Sequence, residues 1–165
     1  MKQLILCFIL LLNLLKADAL PEYTLKTAYL YNFALLTNWP EDEKLDDFNI
    51  CFYKKDFGES SDILNNKYFK NQKIKVSTIS SFDEAKACQI VFIRKNQEEK
   101  GKELIQELLG KHVLIVSENK NLIDSHITIS EDNHKLAFDV SLKTLKESNL
   151  IVSSRLLKLA RRIIQ

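Results

Sequence analysis

Hydrophobic residues recur along this chain with two periods, and those periods set most of the expected elements. Leu25, Tyr29, Phe33 and Leu36 return at steps of four, four and three, which predicts a helix over Leu20–Asn38 with one apolar face. Asn38-Trp39-Pro40 closes it, because the residue before a proline is pushed out of the α region. The charged stretch Glu41–Asp47 then reads as a surface loop. In Phe48–Lys54 the period drops to two: Phe48, Ile50 and Phe52 face one way, and Asn49, Cys51 and Tyr53 the other. Large groups on both faces suit an interior strand covered on both sides. Lys73–Ile79 alternates as a second strand, while Ser60–Leu64 reads as a short helix and Asn65–Gln72 as a polar loop.

The second half of the chain carries a βαβ signature. Ser81 and Glu84 have the spacing of a capping box at the start of a short helix. Gln89–Ile93 and His112–Val116 are continuous apolar runs, expected as buried strands. Between them Gln97–Leu109 is an amphipathic helix turning Leu104, Ile105, Leu108 and Leu109 inward, and Gly110 supplies its left-handed end. Strand, helix and strand in that order make the sheet at least partly parallel. Ile127–Ile129 and Lys135–Val140 read as two further strands joined by a turn over Ser130–His134. Ser141–Ser148 is a short helix, and Ser153–Ile164 a final one with Leu156, Leu157, Ala160, Ile163 and Ile164 on its apolar face. The expected fold class is α/β, a single-domain sandwich of helices packed on a mixed, mostly parallel β-sheet.

The first nineteen residues follow a different pattern. Lys2 precedes an apolar run from Leu4 to Leu15 broken only by Asn13, and Ala17-Asp18-Ala19 has the small-x-small form of a cleavage site. A run of about a dozen apolar residues is short for a bilayer, which needs ~20. Residues 1–19 are therefore expected to be a signal peptide cleaved after Ala19, with residues 20–165 as one exported domain. Cys7 lies too deep in the apolar run for a lipoprotein. The 165-residue chain is 45% apolar and 28% charged, an ordinary globular composition. Its net charge of +2 falls by one when the leader takes Lys2, Lys16 and Asp18 with it, so nothing points to nucleic acid.

Candidate chemistry is sparse. Cys51 and Cys88 are the two cysteines left after export, and an even pair in an oxidising compartment is more often bonded than free. Neighbouring strands would bring them within reach; two buried thiols is the rival reading. A Cys–His nucleophile using His112, His126 or His134 has nothing to fix its geometry, and there is no GxSxG elbow. The histidine spacings match no metal motif, and His126 and His134 read as exposed groups at strand ends. With glycine only at 58, 101 and 110, no phosphate cradle can be built. The acidic pairs read as solvated faces. No catalytic residue, metal or cofactor is therefore expected. In the aromatic cluster, Tyr29 and Phe33 belong to the core. Tyr31 lies off that face, and Trp39 is either a core lid, the stronger reading, or a partner contact.

Read in order, KTAYLYNFALLTNWP, FNICFY with Phe57-Gly58, ACQIVFI, KHVLIVSE and LAFDVSLKTLKESNLIVSSRLLKLARRI make the chain resemble the YfiR family of periplasmic proteins over essentially all of residues 20–165. It departs from the family at Asp124-Ser125-His126-Ile127, where relatives tend to carry glycine, and at Ser141, where they often carry asparagine. The resemblance implies a non-enzymatic repressor that contacts the periplasmic sensor region of an inner-membrane diguanylate cyclase and lowers cyclic-di-GMP signalling and biofilm formation. It also implies a homodimer, sequestration by an outer-membrane lipoprotein, and a disulfide between Cys51 and Cys88. Tyr31 and Trp39 are the residues put forward as partner contacts. The alternative is a periplasmic ligand-binding or sensory accessory module for a histidine kinase or an outer-membrane transporter; a thiol-dependent enzyme is a third, minor reading.

Overall fold

A computed structural model describes residues 21–40, 46–132 and 135–165. The expected signal peptide, most of the charged loop after Pro40, and His134 lie outside the described residues. No helix among those described is long and apolar enough to cross a membrane.

The chain opens with α1 (Glu22–Leu36), which starts directly after Pro21. Its buried face is Lys26, Thr27, Leu30, Phe33 and Ala34, so the expected stripe is rotated. Phe33 keeps its place, Tyr29 and Leu36 are half-buried, and Leu25 faces solvent. The rotation has a polar cause. Lys26 is drawn inward by the carboxylate of Glu118, and Leu30 and Ala34 share its stripe. The helix also ends earlier than expected. At Thr37 the backbone turns extended, and β1 (Thr37–Asn38) pairs antiparallel with β9 (Ile151–Val152). Local periodicity over residues 20–38 carries no trace of that distant partner.

The main sheet has eight strands: β2 (Asp47–Tyr53), β3 (Tyr68–Phe69), β4 (Gln72–Ile79), β5 (Ile90–Ile93), β6 (Leu114–Ser117), β7 (Ile127–Asp132), β8 (Lys135–Ser141) and β10 (Arg162–Ile164). Their spatial order is β10-β8-β7-β6-β5-β2-β4-β3. Only β7–β8 and β3–β4 pair antiparallel, so the sheet is mixed and mostly parallel, as expected. Alternation in the central strands feeds two cores. Phe48, Ile50, Phe52, Phe92 and Val116 pack beneath α1, while Cys51, Tyr53, Val91 and Ile115 meet Leu104, Ile105 and Leu108 of α4 (Glu98–Leu108). Both faces are thus covered, the condition under which parallel strands become continuously apolar.

Short elements connect these layers. α2 (Glu59–Asp62) runs into a single 3₁₀ turn over Ile63–Asn66. The stretch expected as a polar loop then contributes β3, an edge strand held to β4 in the register Phe69↔Gln72. α3 (Phe82–Ala85) has the expected capping box, with Ser81 and Glu84 bonding reciprocally. α5 (Leu142–Glu147) is capped by Ser141, and α6 (Ser154–Leu159) by Ser153.

The carboxyl terminus differs most from expectation. α6 stops at Leu159, Leu156 is its buried residue, and Arg162–Ile164 joins the sheet edge as β10, parallel to β8. The cause is Asp139 on β8, which is only 5% exposed. Its carboxylate accepts bonds from Arg161 Nε and Nη2 at 2.9 and 2.6 Å, and from Arg162 Nε and Nη2 at 3.2 and 2.6 Å. Continuing the helix would leave that buried charge unpaired, a heavy penalty. Asp139→Asn is therefore expected to release β10. Amide hydrogen exchange over 162–164 should rise roughly tenfold or more, and unchanged exchange there would refute the role given to Asp139.

A groove at the amino ends of the parallel strands

Trp39 leaves the β1 ribbon and lays its ring edge-on against Phe48 (5.1 Å) and Phe69 (5.6 Å). Phe48 and Phe69 are themselves 4.3 Å apart between centroids. The two phenylalanines come from β2 and β3, on either side of β4, so strand order rather than sequence brings them together. The three rings form one wall of a groove of about 990 Å³ that runs across the amino ends of the parallel strands. Trp39 is half-buried, and its indole N–H is buried without an acceptor among the described residues.

The rim is locked by Gln89. Its side-chain Oε1 accepts from the Asn49 amide at 2.6 Å, and its backbone carbonyl accepts from Leu114 N–H at 2.8 Å. Cys88 lines the groove beside it and is bonded to Cys51 of β2, with an S–S distance of 1.99 Å and Cα atoms 6.0 Å apart. Both sulfurs are buried. Three lysines stand around the mouth. Lys70, in the β3–β4 turn, has its ammonium 5.3 Å from the Phe69 ring centroid. Lys86 pairs with Asp83 at 2.7 Å. Lys111 follows Gly110, which has the positive φ of 76° expected at that helix end. Asp46 is the acidic residue of the lining. None of the three lysines was singled out by sequence reasoning, because they lie on separate segments with no shared motif.

Tyr31 and Trp39 both meet β3, by different routes. Tyr31 donates its hydroxyl to the backbone carbonyl of Tyr68 at 3.4 Å, with Lys67 5.8 Å from its ring centroid. It does not line the groove, whereas Trp39 does.

The opposite end of the sheet is closed. Open α/β sheets take ligands beyond the carboxyl ends of their strands, where strand order reverses. Here that reversal lies between β2 and β5. The first turns of α1 fill it: Tyr23 stacks on Phe57 at 4.8 Å, the Arg94 guanidinium lies over Tyr23, and Lys26 bonds Glu118 and Glu22. Burial pulls the Lys26 ammonium down, but the hydrogen bonds and charges of the two glutamates outweigh it and hold its pKa above the ordinary lysine value.

His126 corrects a sequence expectation. Instead of lying exposed it is completely buried. Its Nδ1 accepts from the Ile115 amide at 2.8 Å, which puts the proton on Nε2, 3.1 Å from Thr144 O and 3.0 Å from Ser148 Oγ. Burial pushes its pKa down to about 4, against a weaker opposing pull from the Thr144 carbonyl. The imidazole is a neutral staple between β6 and α5. Among the described residues, no group of three His, Cys, Asp or Glu side chains is placed to hold a metal.

A family profile described as DUF4154, YfiR/HmsC-like, matches residues 23–161. No curated protein matches the chain. Among solved structures, a conserved domain protein from Vibrio cholerae is similar with a TM-score of 0.52 at 6% identity, over 86% of this chain and 60% of that one. The ABC domain from Streptococcus pneumonia, solved in complex with L-Trp, aligns with a TM-score of 0.48 at 8% identity, over 71% of this chain and 55% of that one. This chain therefore spans 55–60% of the length of those solved chains, and the Vibrio likeness bears on the fold alone.

Proposed function

The chain belongs to the YfiR/HmsC-like family, and we propose that it is a non-enzymatic periplasmic regulator that binds the periplasmic sensor region of an inner-membrane diguanylate cyclase and lowers cyclic-di-GMP output. The family match over residues 23–161 carries this reading. The disposition of the buried ionisable groups supports it. Lys26, His126 and Asp139 are each engaged in packing one element to another. In the same proposal, residues 1–19 are a cleaved leader and residues 20–165 one YfiR-like domain that acts as a homodimer. An outer-membrane lipoprotein sequesters it, and Tyr31 and Trp39 are partner contacts.

The test is genetic. Deleting the gene in a strain that keeps the cognate cyclase is expected to raise cyclic-di-GMP, and expressing the full chain to restore it. Unchanged levels would sink the proposal. A second reading, a ligand-binding accessory module for a histidine kinase or an outer-membrane transporter, has the groove beside Trp39 in its favour. Deletion would then leave cyclic-di-GMP alone and alter the output of the kinase or transporter.

A further inference from the structure

We propose that the outward ridge of α1, formed by Leu25, Ala28, Asn32 and Leu35, is the surface on which two copies of this chain pair, α1 against α1 and antiparallel about a two-fold axis. The inference rests on the homodimer of the functional reading above and names its interface.

The ridge lacks the charge that a solvent-facing helix carries. From Tyr23 to Pro40 every residue is described, and the one charged side chain among them, Lys26, is buried. On α4 of the same protein, Glu99, Lys100, Lys102, Glu103 and Glu107 all face outward. Beyond Glu22, α1 is apolar or neutral all round, the composition of a helix with partners on every side. Yet its ridge is exposed, Leu25 by 37% and Leu35 by 46%. A groove of about 480 Å³ runs alongside, between Leu35 and Leu36 of α1 and Arg155 and Leu159 of α6. Leu159 is 62% exposed, so apolar surface continues across the groove.

The order of the ridge selects a second copy as its partner. Its residues recur at steps of three, four and three, the spacing of a two-helix seam. Asn32 donates its side-chain N–H to the Ala28 carbonyl at 3.0 Å, so it enters such a seam partly satisfied. Read from either end, the side chains run bulky, short, short, bulky. An antiparallel copy therefore sets Leu25 against the partner's Leu35 and Ala28 against the partner's Asn32, with the short pair at the crossing. The contact is self-complementary, as a two-fold axis demands. Charge agrees with that register. Glu22 lies one turn before Leu25, its side chain 60% exposed beside its bond to Lys26. Arg155 stands at the other end, exposed, lining the groove with Leu35 and Leu36. Among the described residues it has no carboxylate within salt-bridge distance. Antiparallel pairing carries the partner's Glu22 to the end of the ridge that Arg155 occupies.

Sedimentation equilibrium of the purified mature protein, over a wide range of concentration, is the test. The expected result is a reversible monomer–dimer equilibrium. Leu25→Glu/Leu35→Glu sets like charges against each other in the antiparallel register and should weaken the dimer roughly tenfold or more. Leu25→Lys/Leu35→Glu uses the same two positions but sets opposite charges together, so it should recover most of that loss. Arg155→Glu, facing the partner's Glu22, should weaken the dimer by a smaller factor. All three side chains are exposed, and circular dichroism with the thermal midpoint establishes that each variant is folded. Four results would overturn the proposal: a wild-type protein that stays monomeric, a dimer undiminished in Leu25→Glu/Leu35→Glu, equal loss in the two leucine double variants, or a dimer unaffected by Arg155→Glu. A monomer removes the homodimer from the functional reading as well. A dimer that tolerates the two glutamates leaves the homodimer standing and its interface elsewhere. Cyclic-di-GMP after gene deletion tests repression independently of both.

Discussion

Replacing Cys51 and Cys88 together with alanine is expected to lower stability by about 4 kcal/mol on the chain-entropy account of a cross-link. The bond closes a sequence separation of 37 residues, and opening it returns that freedom to the unfolded chain. Both cysteines are buried, Cys51 at 1% and Cys88 at 3% exposure, so alanine leaves little new polar surface. Alanine is the cleaner replacement, since serine hydroxyls would meet the same polar neighbours as the sulfurs, Ser77 Oγ 3.3 Å from Cys51 Sγ and Glu84 O 3.4 Å from Cys88 Sγ. Typical domains hold only about 5–15 kcal/mol, so the loss is a large share of the total. Urea unfolding of the oxidised protein, the reduced protein and Cys51→Ala/Cys88→Ala would measure it. The reduced and alanine forms should shift to similar lower midpoints. A double variant within about 1 kcal/mol of the oxidised protein would show that the bond does little for stability. Loss of function in such an unshifted variant would revive the thiol-enzyme reading.

The elements legible in the sequence were those settled by near neighbours. The alternation of Phe48, Ile50 and Phe52 against Cys51 and Tyr53 reports two covered faces, because each side chain's direction follows from the strand itself. The Ser81–Glu84 box and the left-handed Gly110 are local in the same way. What sequence missed depends on partners far along the chain. Lys26 turns inward because of Glu118, 92 residues away, and β10 forms because Asp139 holds two arginines that are 22 and 23 residues on. The candidate site divides along the same line. Trp39 and the cysteines stood out by type and rarity, but the Phe48–Phe69 wall needs β4 between β2 and β3, and the lysines share only a rim. His126 was missed for the same reason: what buries it is α5 and the residue after it, where Thr144 and Ser148 lie 18 and 22 residues on.

That buried imidazole sets the protein's response to mild acid. His126 titrates near 4 in the folded protein and near its ordinary 6.5 once unfolded. Between those values the unfolded chain binds the proton and the folded one does not, so folding stability rises with pH through the window. The contribution is complete above pH ~6.5 and is lost as pH falls toward ~4, at about 1.4 kcal/mol per unit and about 3 kcal/mol in all. Carboxylates held down by hydrogen bonds, such as Glu84, Glu98 and Asp139, begin to act about a unit above their ordinary values of 4.5 and 3.8. The interval from pH ~5.5 to 6.5 therefore isolates the histidine. His126→Asn keeps an acceptor for the Ile115 amide but gives up the contacts to Thr144 and Ser148. It should be weaker at pH 7 by roughly 1–3 kcal/mol and nearly flat across the interval. Urea midpoints at half-unit steps of pH would show both effects. A wild-type protein whose stability does not fall between pH 6.5 and ~5.5, or a variant that retains the slope there, would mean that His126 takes up its proton without leaving the fold.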